Sequence, residues 1–246
     1  MASYCQDCGL CTVDQPAPDY AKESASNDSS NDLADIISRE ILRNLKQEPV
    51  TESGTRKIPI GVSNRHAHLT EKTFTYLFGD DAQLSVYRGL YQEGEFASEQ
   101  TITIAGNKMR AIQNLRILGP LRKYDQVELS LTDAVQIGIN PPIKNSGDLT
   151  GGAPLTLIGP KRSLYIEECA IIASRHIHMT SSDAQAFGVS DGDYCKIRVG
   201  GEKGIIFENV LIRVNDNWKL QLHLDTDDAN AANIRCSMSG EFYGKM

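Results

Sequence analysis

Two near-copies of one short segment hold most of the residues in this chain that could do chemistry. Arg65-His66-Ala67-His68 is matched, from position 175, by Arg175-His176-Ile177-His178. The protein has five histidines, and these two segments hold four of them. Their flanks agree as well: Val62-Ser63-Asn64 precedes the first pair and Leu69-Thr70 follows it, while Ile172-Ala173-Ser174 and Met179-Thr180 frame the second. A repeat of this kind indicates an internal duplication, and its histidines indicate a bound metal. In an extended segment residues i and i+2 point to the same side, so His66 and His68 can converge on one ion, as can His176 and His178. Imidazole suits zinc or a similar divalent transition metal. A pair alone leaves an ion short of ligands. His223 ends an alternating strand and Glu128 sits near the matching position of the first half, so these are the natural completing ligands. A single histidine is more often a surface or hydrogen-bonded core group, and the repetition is what tips the reading toward metal.

Two similar domains related by a pseudo-two-fold would bring both pairs to a common interface, giving one site with two ions. The arginine before each pair is then either an outer support or an anion clamp. Arg122 lies in Gly119-Pro120-Leu121-Arg122-Lys123, between two strands and close to Glu128. It reads as an active-site arginine able to grip phosphate with two parallel bonds, against the plainer reading of a surface turn with solvated cations. Arg88 and Arg116 are further cations of the same half, suited to a large anionic substrate or to a solvated surface. There is no Gly-x-x-x-x-Gly-Lys-Ser/Thr loop, no Gly-x-Gly-x-x-Gly after a strand and no recognisable Ser or Cys nucleophile motif. Catalysis by metal and arginine, without a covalent enzyme intermediate, is favoured.

The elements that must position these residues are mainly β. Residues 58–62, 100–105, 112–118, 126–131, 194–199 and 219–224 alternate apolar and polar positions, with Gly and Asp between them. Residues 130–134 echo 223–229, and 112–117 echo 207–212. Short strands at this spacing favour barrels over an open sheet. The expectation is two similar small β-barrels from an internal duplication, with short helices near 70–76 and 181–187 and an N-terminal helical extension. In that extension, residues 1–30 are polar and rich in Ser, Asp and Asn, and read as a flexible tail. The tail carries Cys5, Cys8 and Cys11 at a spacing that can ligate an iron–sulfur cluster, although the usual fourth cysteine is missing nearby. Within residues 31–48, Leu33, Ile36, Ile37, Ile41, Leu42 and Leu45 form an apolar helical stripe that could dock on its own domain or on a partner's groove.

Composition bounds the rest. A chain of 246 residues, 40% apolar, can bury one large core or two small ones. A net charge of −7 argues against a nucleic-acid partner. No apolar run approaches the roughly 20 residues of a membrane span, and the start lacks a signal peptide's pattern, so a cytoplasmic protein with mostly reduced thiols is expected.

Several of these segments together carry a resemblance. Ser63-Asn64-Arg65-His66-Ala67-His68-Leu69, Gly119-Pro120-x-Arg122, Gln126-Val127-Glu128, Ser130 to Ala134, Gly147-Asp148-Leu149 and Ala173-Ser174-Arg175-His176-Ile177-His178-Met179 resemble, in order and spacing, the PduL-type phosphate propanoyltransferases of bacterial microcompartments. The resemblance covers about residues 57 to 240. It implies two β-barrel domains, one of residues 65–173 and one of residues 57–64 with 174–246. It also implies a two-zinc site between them and exchange of acyl-CoA plus phosphate for acyl phosphate plus CoA. By motif, His66, His68 and Glu128 resemble ligands of the metal pair, joined by His176, His178 and His223. Arg122 resembles the catalytic arginine that handles phosphate. Ser63, Arg88, Arg116, Leu118, His223 and Asn230 fall where the family meets CoA or borders the site. The 31–48 helix resembles an encapsulation peptide, which implies shell or cargo partners inside a microcompartment. A metal-dependent thioesterase or hydrolase and a non-catalytic cargo scaffold are the alternatives. A homodimer is a further expectation.

Overall fold

The computed structural model describes residues 56–235 and 237–246. The expected tail with Cys5, Cys8 and Cys11 and the expected helix at 31–48 lie outside the described residues.

The chain starts with β1 (Lys57–Ser63) and turns at once into β2 (His66–His68). Then follow α1 (Glu71–Phe78), β3 (Val86–Gly89), β4 (Phe96–Ala105), β5 (Ala111–Gly119), β6 (Gln126–Glu128), α2 (Leu131–Ile137), β7 (Ile143–Lys144), β8 (Ala153–Ile158) and β9 (Ser163–Ala173). The second half runs β10 (His176–Met179), α3 (Ser181–Phe187), β11 (Tyr194–Val199), β12 (Ile205–Val214), β13 (Gln221–Asp225), α4 (Thr226–Ala231) and β14 (Ser239–Lys245).

Pairing turns these strands into two closed rings. In the first, β4, β5, β2, β6, β9 and β8 are neighbours in that order, and β8 returns to β4; β3 and β7 are added at the side. In the second, β1, β13, β10, β12, β11 and β14 close in the same way. Closure removes exposed strand edges and lets each ring fill with alternate side chains. The N-terminal strand β1 belongs to the second ring: it runs parallel to β13 and antiparallel to β14, and its Ile58 and Ile60 are buried in that ring's core. The first ring has a separate core around Leu69, Phe74, Ile102, Leu115, Ile117, Leu155 and Leu157.

The duplication extends to backbone detail. Thr70 and Thr180 cap α1 and α3, each side chain accepting the backbone N–H three residues on. Asn114 and Asn209, at matched places in β5 and β12, both adopt the left-handed conformation, with φ of 57° and 56°. The run 126–131, expected as one strand, is a strand only to Glu128. Ser130 and Asp133 form a capping box that starts a helix at Leu131, and this short-range signal outweighs the alternation. The strand expected at 100–105 begins at Phe96, and α1 runs to Phe78.

Candidate functional site

Alternation along the two three- and four-residue strands β2 and β10 sorts their side chains. Ala67 and Ile177 point into the two barrel cores and are fully buried. The histidines on either side must therefore face outward from each core, and both sets open onto one cleft of about 810 Å³ that is lined from both halves. Register supplies the third member of each set. His66 lies opposite Glu128, and His176 lies opposite His223; side chains of opposed residues leave the same face of a sheet. The result is two clusters, His66–His68–Glu128 and His176–His178–His223, each with its donor atoms within 4.8 Å of one another. A narrow recess bounded by Glu128, His176 and His223 joins them.

The donor sets have the chemistry a metal needs. The Nδ1–H of His66 donates to the Asn64 carbonyl and that of His176 to the Ser174 carbonyl, both at 2.8 Å. Since a carbonyl only accepts, each ring carries its proton on Nδ1 and turns a bare Nε2 toward its cluster. Four further buried ring nitrogens have no hydrogen-bond partner: His68 Nδ1, both nitrogens of His178, and His223 Nε2. A buried polar atom left without a partner is costly, so these nitrogens are placed for a ligand the polypeptide does not supply. Burial also keeps four of the rings uncharged. It pushes His68 down to about 2 and His178 down to about 3, and lowers His176 and His223 as well. The nearby guanidinium groups act in the same direction, Arg122 on His68 and Arg213 on His176 and His223. Neutral imidazole is the form that coordinates metal. On the acidic side, Glu128 Oε1 accepts from Gln126 Nε2 at 2.6 Å and Ser146 Oγ at 2.7 Å, and Oε2 faces His66 Nε2 at 3.6 Å.

The arginines that precede the pairs are structural supports. Arg65 is ion-paired to Asp133 and Arg175 to Asp228, each at 2.9 Å. The aspartates lie on α2 and α4, so each ion pair ties a histidine strand to the helix that follows the third cluster residue. Arg122 stands at the cleft with its guanidinium fixed from two sides, donating to Glu95 and to Tyr124 Oη, both at 3.0 Å. Ser63, Arg88, Arg116, Leu118 and Asn230 line the same cleft. Arg116 stacks on Tyr87 at 4.4 Å and donates to the Ser98 carbonyl.

Several neighbours were not singled out in the sequence. Gln92 is buried and bridges the two halves: its amide N–H groups reach Gln221 Oε1 and the Lys219 carbonyl, and its Oε1 accepts from Lys219 N–H. Gln126 and Gln221 occupy equivalent positions two residues before Glu128 and His223, a symmetry visible once those strands are aligned. Trp218, the one tryptophan, stacks on His178 at 4.0 Å.

The comparisons with known proteins agree with this architecture. The family model described as phosphate propanoyltransferase matches residues 59–235. A phosphate propanoyltransferase of Lachnoclostridium phytofermentans is 45% identical over 202 residues, covering 82% of this chain and 94% of that protein. One from Thermotoga maritima is 46% identical over 195 residues, covering 79% and 89%. Another, from Salmonella typhimurium, is 42% identical over 197 residues, covering 80% and 93%. Two β-barrels with paired histidine clusters in a shared cleft, together with these matches, define an acyltransferase. More narrowly, the chain belongs to the phosphate propanoyltransferase family.

Proposed function

We propose that this protein interconverts a short-chain acyl-CoA, propanoyl- or acetyl-CoA, plus phosphate with acyl phosphate plus CoA. The observation that carries the reading is the cleft itself: two neutral imidazole-rich clusters meet there beside a fixed arginine, Arg122. His66, His68 and Glu128 would hold one ion and His176, His178 and His223 the other, with zinc the metal best suited to the nitrogen-rich sets. When bound, such ions supply Lewis acidity for the thioester carbonyl and for the leaving sulfur.

The chain's own groups do the rest. Arg122 binds phosphate and orients it, its planar fork matching two phosphate oxygens. A phosphate oxygen then attacks the thioester carbonyl carbon, forming a C–O bond as the C–S bond breaks, and CoA leaves as its thiolate. No side chain becomes acylated. Ser63, Arg88, Arg116, Leu118 and Asn230 line the path CoA would take, with the two arginines suited to its phosphates. The buried thiols Cys169 and Cys195 are pushed up to about 12 by burial and stay protonated, so neither competes as a nucleophile. The reverse direction tests the reading: metal-loaded protein given propanoyl phosphate and free CoA should form thioester and consume thiol. Unchanged thiol would refute it.

Ser146 offers a check on the Glu128 ligand role. Its hydroxyl and the Gln126 amide hold Oε1, leaving Oε2 for the cluster. Ser146→Ala should weaken binding of the ion held by His66, His68 and Glu128 by roughly tenfold, read by competition with a chelator, with the second site unchanged. Equal affinities in variant and wild type would contradict the assignment.

Further parts of this reading concern the whole chain. The domains are 65–173, and 57–64 with 174–246; the pairing of β1 with β13 and β14 supports that division. The segment 31–48, which lies outside the described residues, serves in this reading as an encapsulation peptide that takes the enzyme into a bacterial microcompartment through shell or cargo contacts. No described helix is long and apolar enough to cross a membrane.

A further inference from the structure

Arg213 is a cation of this cleft whose side chain makes no hydrogen bond or ion pair among the described residues. Strands β10 and β12 run parallel with His178 beside Arg213, so both side chains leave the barrel on the cleft side. The guanidinium lies 5.2 Å over the Trp218 ring, and that indole stacks on His178 at 4.0 Å. The indole thus contacts both the arginine and the imidazole, and Arg213 lines the same cleft as Arg122 and both clusters.

Four other arginines near the clusters are engaged by protein oxygens, Arg122 by Glu95, Arg65 by Asp133, Arg175 by Asp228 and Arg116 by the Ser98 carbonyl; Arg88 and Arg235 line the cleft without such a partner among the described residues, but neither lies beside a cluster histidine in the strand register. Arg213 has no hydrogen-bond or ion-pair partner among the described residues. Its N–H donors are open to the cleft, where an anion can replace water on them. Its position also breaks the internal symmetry. In the first barrel His66 lies beside Arg116 and Ala67 beside Ile117, which puts Leu118 at the place equivalent to Arg213. The duplication has therefore kept an arginine beside the outer histidine in one barrel only. Arg213 lies beside His178 in the strand register and on the same cleft, so an anion gripped by Arg213 sits next to the second cluster.

We propose that Arg213 is a second phosphate-binding arginine, gripping from the C-terminal barrel the same phosphate that Arg122 holds from the first. This deepens the phosphate acyltransferase reading and rests on it. Two arginines approaching from different barrels fix the orientation of one tetrahedral anion, which a single planar fork does not. Trp218 packs against the guanidinium through its ring and takes up none of its N–H donors.

The test compares metal-loaded wild type with Arg213→Gln and Arg213→Lys. Phosphate and acyl-CoA are varied separately, metal content is measured, and binding of inorganic phosphate is followed by calorimetry. Losing a charge-assisted pair should raise the phosphate KM, and the Kd for inorganic phosphate, about tenfold to a hundredfold in Arg213→Gln. Arg213→Lys, which keeps the charge and the packing stem, should fall between it and wild type. The KM for acyl-CoA and the metal content should stay at wild-type values. A rise confined to acyl-CoA would overturn the proposal in favour of contact with the phosphates of CoA. Lost metal would assign Arg213 to support of His178 through Trp218, and unchanged constants would remove it from the site. If the wild type itself shows no phosphate-dependent thiol release, the acyltransferase reading fails, and the calorimetric arm still decides whether Arg213 binds phosphate.

Discussion

Arg122→Ala should lower turnover by on the order of 10²- to 10³-fold while the protein keeps its metal, the range seen when one preorganised donor of an acyl-transfer site is removed. The two effects separate because of how Arg122 is held. Its guanidinium is bonded to Glu95 and Tyr124, and it makes no hydrogen bond to any cluster residue. Removing it takes a cation from beside His68 and His178, whose protonated forms it disfavours, but burial is the larger cause in both and remains. The rings stay neutral near pH 7, and the donor sets stay intact. Arg122→Lys should be intermediate, since an ammonium retains the charge without the planar fork. Wild-type turnover in Arg122→Ala would remove the residue from the account.

The second large effect is the joint loss of metal and activity on removing an anchored histidine. His176 is fixed by its Nδ1–H bond to the Ser174 carbonyl and stacks on His223 with ring centroids 4.8 Å apart. His176→Ala deletes one nitrogen donor and the face that orients another. Disturbing a group that merely orients a ligand costs roughly 10- to 100-fold in metal affinity, so losing the ligand itself should cost at least that. His66→Ala should behave alike at the other cluster. Elemental analysis after dialysis, paired with turnover, is the readout. A variant that is metal-free yet fully active would contradict the site.

Much of this arrangement was legible in the sequence, because its strongest signals are local or repeated. Spacing in β2 and β10 put each His pair on one side, and the echo between residues 130–134 and 223–229 put Glu128 near the position that matches His223. The two barrels followed from short alternating strands. Other features were hidden because they depend on pairing between distant segments. Nothing near Gln92 signals that it will join Lys219 and Gln221. Glu95 reaches Arg122 across 27 positions only through the hairpin of β3 and β4. Arg65 and Arg175 are tied to aspartates 68 and 53 residues further along the chain. Arg213 was masked by the repeat itself, which aligns it with Leu118. Helix α2 was read as the end of a strand because apolar alternation at 126–131 continues into its first residue, whereas the capping box sets the backbone there.

The measurement closest to the central claim is release of free thiol from propanoyl-CoA by the metal-loaded protein, with and without phosphate. The account predicts release that requires phosphate and saturates with it, yielding acyl phosphate equal to the CoA formed. Thiol release at the same rate without phosphate, with free propanoate as product, would make the protein a hydrolase and contradict it.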